Sequence, residues 1–90
     1  MSSRKRLAMD IVKVAYRYPE DVKMILKING GPHIDARDLA GLLTAFATTD
    51  TIKLKMFVVE KDMEVLYLEE LRSSFKTIFD VYGINYSLYF

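Results

Sequence analysis

Two stretches of this chain alternate apolar and polar residues strictly enough to limit the kind of sheet it can build. In residues 22–28, Val22, Met24, Leu26 and Ile28 point one way, and Lys23, Ile25 and Lys27 the other. In residues 51–59, Ile52, Leu54, Met56 and Val58 oppose Lys53, Lys55, Phe57 and Val59. A period of two is the strand period, because successive side chains leave opposite faces of the pleat. Strands with one apolar and one lysine-bearing face need cover on one side only, whereas strands of a doubly covered parallel sheet read as unbroken apolar runs. The pattern predicts an α+β domain with helices on one face of a small, mostly antiparallel sheet.

The rest of the chain supplies those helices. Leu7, Ile11, Ala15 and Tyr18, with Ala8 and Val12, fall at helical spacing over residues 4–17, after Ser2 or Ser3 as a cap and before Pro19 as a stop. Asn29-Gly30-Gly31 is a hairpin signal, since consecutive positive φ angles suit Asn and Gly. Pro32 confines residues 32–35 to an edge strand. Asp35, as cap, opens a helix over residues 36–47 with Leu39, Leu42, Leu43 and Phe46 as its stripe and Asp38 in its first turn. A long helix over residues 62–81 follows an Asp62 cap, buries Leu68, Leu71, Phe75, Ile78 and Tyr82, and ends at Gly83. Ile84, Tyr86, Leu88 and Phe90 then alternate as a closing strand. The expected order is αββαβαβ, in one domain over residues 1–90.

Composition narrows the class. The apolar share of 51% supports a packed interior rather than disorder. With no cysteine, disulfide scaffolds and cysteine-ligated metals are excluded, and a cytoplasmic location is expected. No apolar run approaches the roughly 18 residues of a membrane span, and Asp10 and Lys13 interrupt the pattern after Arg4-Lys5-Arg6, which argues against a signal peptide. The formal charge of +1 is uneven: residues 1–27 hold seven basic side chains against three acids, leaving six against nine beyond. Local basic surface is expected, not a cationic field over the whole protein.

Residues 35–46 carry a further signal. Arg37, Asp38, Leu39, Ala40 and Gly41 give a basic residue, a helix-opening polar residue, two apolar residues and a glycine, and Lys27-Ile28-Asn29-Gly30-Gly31 ends a strand in an Asn-Gly turn. Together with the element order from residue 4 to about 82, these residues resemble the histidine phosphocarrier protein (HPr) family with its first strand removed and its hairpin lengthened. The resemblance implies an open-faced sandwich, three helices on a four-stranded sheet. Ile84–Phe90 would enter where the family's first strand lies, a circularly permuted arrangement; exchange of that strand into a homodimer, or a loose tail, are the alternatives. At the family's phosphorylated histidine stands Arg4, with Arg6 at its arginine and Leu7 at its proline. A guanidinium stays protonated near neutral pH and cannot accept a phosphoryl group, so the family's phosphotransfer is expected to be lost. Asp38 takes the position of the regulatory serine, where it either imitates a phosphoserine weakly or simply caps the helix.

Three functions follow as expectations. The first is a non-catalytic HPr-like interaction domain that binds a protein partner through Arg4, Arg6, Asp38 and Leu42, with Met9, Met24, Met56 and Met63 as adaptable contacts or as core. The second is single-stranded nucleic-acid binding on the uncovered sheet face, with Lys23, Lys27, Lys53 and Lys55 for phosphates and Phe57 for a base. The third is a phosphocarrier using His33, the only histidine. One histidine and no cysteine offer no metal site, and no cofactor is expected. Glu69 and Glu70 diverge by about 100° on a helix, so no shared acid–base cleft is expected. With no phosphate-binding loop or dinucleotide fingerprint either, the reading is of a protein that is not an enzyme.

Overall fold

The computed structural model describes residues 3–59 and 65–90. Three helices and four strands follow one another: α1 (Ser3–Ala15), β1 (Lys23–Ile28), β2 (His33–Asp35), α2 (Leu39–Ala47), β3 (Lys53–Val59), α3 (Val65–Tyr82) and β4 (Asn85–Tyr89). The fold is a small α+β fold with an open, mixed sheet in the order β2-β1-β3-β4.

Helix α1 ends at Ala15 rather than residue 17. Tyr16 N–H still donates to the Val12 carbonyl at 3.0 Å, but Arg17 N–H reaches only as far back as Val14, also at 3.0 Å, so the last turn tightens before Pro19. The hairpin turns as its sequence requires. Asn29 and Gly30 have φ of 52° and 72°, and Gly31 N–H donates to the Ile28 carbonyl at 2.9 Å. The Asn29 side chain extends the tie: its Nδ2 donates to the Thr51 carbonyl at 2.7 Å, and its Oδ1 accepts from Lys53 N–H at 2.6 Å.

The start of α2 differs from expectation, because the cap is Asp38 and not Asp35. Asp35 belongs to β2, opposite Ile25, and Ala36 N–H is still bonded to the Met24 carbonyl at 2.9 Å. The backbone cannot serve the sheet and a helix at once, so the helix waits for the next competent cap. Asp38 Oδ1 then accepts from Gly41 N–H at 3.0 Å. Leu39, assigned to the buried stripe from sequence, is exposed as a result. The Asp62 cap expected for α3 lies outside the described residues. Its C-terminus closes in a Schellman motif: Gly83 has φ of 64°, Gly83 N–H donates to the Asp80 carbonyl at 3.1 Å, and Ile84 N–H to the Phe79 carbonyl at 3.2 Å.

β1 pairs antiparallel with both β2 and β3. The tail joins β3 within the same chain as β4, and this pair is parallel. A parallel neighbour needs a crossover connection, which α3 provides. One core cluster lies on the helix side of the sheet, where Met24, Leu26, Leu54 and Met56 meet Leu7, Ile11, Leu42, Phe46, Phe75 and Phe79. Among the described residues, no helix is long and apolar enough to cross a membrane.

Candidate nucleic-acid interface

The opposite face of the sheet brings several of the sequence-selected residues together. Register sorts its side chains into rows across the strands. One row runs Asp35, Ile25, Phe57, Tyr89. The next runs His33, Lys27, Lys55, Ser87, and beyond it Lys53 lies opposite Asn85. Lys23 lies on the far side of the first row, opposite Val59. Residues on one face of a strand repeat about every 6.6–6.8 Å, so the lysine rows flank the aromatic row at close range.

The rings of Phe57 and Tyr89 are stacked, with centroids 5.0 Å apart and planes 13° from parallel. His33 meets Phe57 edge to face, at 6.2 Å. Tyr89 is about half exposed, at 49%, so the stack keeps a surface open to solvent. Lys23, Lys53 and Lys55 are exposed and Lys27 is half-buried. None of the four forms an ion pair among the described residues. Cations that are not neutralised within the chain hold their field for a ligand. Below the aromatic row the face dips into an open concavity of about 660 Å³, whose lining includes Lys27, Lys53, Lys55, Asn85 and Ser87 together with Asp50. Three lysines and the Asn85 amide, against the single carboxylate of Asp50, give the hollow a net positive lining that suits phosphate oxygens; the Asn29 amide is taken up by the hairpin ties.

The residues expected to meet a protein partner are not gathered in this way. Leu42 is fully buried in the core and presents no surface. The Arg4 guanidinium donates to the carbonyls of Phe46 (2.6 Å), Thr49 and Asp50 (2.7 Å), where its charge meets the negative end of α2. Arg4 therefore caps a neighbouring helix rather than crowding the positive end of its own. Asp38 is likewise occupied by its cap. Arg6 is exposed; it lies near Tyr82, whose hydroxyl donates to Asp10 at 2.7 Å, and that bond pushes the phenol pKa up. Met24 and Met56 are core, Met9 is half-buried, and Met63 lies outside the described residues. His33 stands on the short edge strand, away from the N-termini of the helices in sequence. No cluster of three or more His, Cys, Asp or Glu that could hold a metal occurs among the described residues.

Tyr89, Asn85 and Ser87 escaped the sequence reading. Their alternation with Ile84, Tyr86, Leu88 and Phe90 shows that they face the other way, but only the β3–β4 register reveals that Tyr89 lands beside Phe57.

No protein family, curated protein or solved structure matches this chain. The likeness to the phosphocarrier family accordingly stays with the residues that carry it, Arg37 to Gly41 and the Asn29-Gly30 turn.

Proposed function

We propose that the uncovered sheet face binds single-stranded nucleic acid. The observation that carries the reading is the stacked Phe57–Tyr89 pair set among four lysines that have no ion-pair partner among the described residues. Unpaired bases stack on aromatic rings while lysines follow the phosphates, which makes such binding sequence-tolerant and salt-sensitive. The roles divide accordingly: Phe57 and Tyr89 for a base, Lys27, Lys53 and Lys55 for phosphates in and around the hollow, and Lys23 for a phosphate on the far side of the stack. A duplex keeps its bases stacked inside and cannot use the platform.

The test is fluorescence anisotropy with a labelled single-stranded oligonucleotide and its duplex. Single strands are expected to bind more tightly, and Phe57→Ala and Tyr89→Ala each to weaken binding by about 1–3 kcal/mol. Equal affinity for duplex and single strand, or wild-type affinity in both alanine variants, would reject this function.

A further inference from the structure

Outer strands carry backbone donors and acceptors without a partner strand, and proteins guard them with charge, proline, bulges or shortness. The two outer strands here differ in this respect. β2 is three residues long, follows Pro32 and contains Asp35. β4 is five residues long and pairs with β3 alone, and from Val81 to Phe90 there is no charged side chain and no proline. Its helix-side residues Ile84, Tyr86, Leu88 and Phe90 pack on the core, yet each stays only partly buried.

We propose that β4 pairs antiparallel with β4 of a second copy of this chain, about a two-fold axis through Ser87. The strand's own alternation fits this partner, and the midpoint of the strand gives the register that pairs the most residues. A two-fold at Ser87, the midpoint of β4, sets Tyr86 opposite Leu88 of the second copy and Ile84 opposite Phe90, so each partly buried apolar group meets another on the same side. On the other face Ser87 meets its equivalent with little bulk, and Asn85 meets Tyr89. Sliding by one residue would turn every apolar side chain to the lysine face. β4 itself brings no charged side chain to the seam, although the Arg72 guanidinium of α3 lies over the Phe90 ring at 5.4 Å, and each copy brings the same edge. The two four-stranded sheets become one, and the aromatic row of each copy runs on through Asn85 of the other toward its lysine-lined hollow. The pairing rests on the edge chemistry of β4 and not on nucleic-acid binding.

The test uses the absence of cysteine from the natural chain. Directly opposite residues in an antiparallel pair have Cβ atoms about 4.5–5.5 Å apart, close to what a disulfide spans. Two copies of residue 85 would instead be offset by about 14 Å along the strands. Mild oxidation is expected to cross-link Ser87→Cys rapidly and to leave Asn85→Cys without a disulfide. Sedimentation of the wild type is expected to approach twice the 10.4 kDa chain mass at high concentration. Ser87→Lys, at an exposed position, is expected to return the mass to that of one chain with its circular dichroism unchanged. A wild type that stays monomeric at every concentration, equal cross-linking at positions 85 and 87, or a dimer that survives Ser87→Lys would overturn the pairing.

Discussion

Asp38 and Gly41 compete for one small space. A Cβ added at Gly41 would strike the Asp38 carboxylate, Oδ2 first and Cγ at 2.9 Å, and would press Ile34 Cγ2 at 3.2 Å. Alanine in place of a helical glycine ordinarily stabilises by up to about 1 kcal/mol. Here that gain is opposed by loss of the cap, typically about 1 kcal/mol, together with crowding against Ile34. Gly41→Ala is therefore expected to destabilise the wild type. In an Asp38→Ala background the carboxylate is gone, and the same change should be neutral or stabilising. Urea unfolding of the four proteins measures the coupling, and additivity within about 0.5 kcal/mol would show that the two residues do not share the space. The sequence made both Asp35 and Asp38 good caps, and local preference alone had no means to choose. The choice was made by the sheet, through the bond from Ala36 N–H to the Met24 carbonyl.

At the scale of elements, β4 is pinned to α3 by a short chain of side chains. The Tyr86 hydroxyl donates to Asp80 Oδ1 at 2.7 Å, and Lys76 Nζ meets Asp80 Oδ2 at 2.9 Å. The Tyr86 bond foremost, and Lys76 after it, hold the Asp80 carboxyl below its ordinary range. A carboxyl depressed in the folded state stabilises that state above its unfolded pKa, and the contribution is lost as pH falls through the depressed value. Tyr86 and Lys76 are shifted upward, each by its bond to Asp80, so their share is lost only as pH rises through those raised values. Asp80→Asn is expected to remove the acid-side loss of β4 order, and Tyr86→Phe to move its midpoint up toward that of an ordinary carboxylate. Amide and ring NMR signals of residues 85–89 report the titration; the same midpoint in wild type and Tyr86→Phe would refute the linkage. The strand itself was legible from its alternation, as were β1 and β3. Its parallel direction was not, because polarity depends on how α3 carries the chain across the sheet, and no local pattern in Ile84–Phe90 encodes that path. One ring of the stack was hidden for the same reason: four lysines and Phe57 follow from the period of two, while Tyr89 joins them only through register.

For the whole molecule, the question is whether binding would arise from one face or from charge in general. The formal charge of +1 gives little long-range attraction, so affinity must come from cations concentrated where the ligand lies. Counterion release then counts them: for single strands the slope of log K against log salt is about −0.7 per phosphate neutralised. With all four lysines of the face engaged, the slope would be about −3. Lys53→Ala, in the hollow, is expected to make it shallower by about 0.7. Lys13 provides the control, because it is exposed on α1 and lines a different depression with Asp10 and Arg17; Lys13→Ala should weaken binding little and leave the slope unchanged. Both substitutions remove one positive charge, so they alter the net charge equally and differ only in position. If they flatten the slope equally, the protein attracts polyanions through its overall charge and the sheet face has no special part in it. If Lys53→Ala alone does so, a phosphate is held in the hollow of the sheet face, and position on that face rather than net charge governs binding.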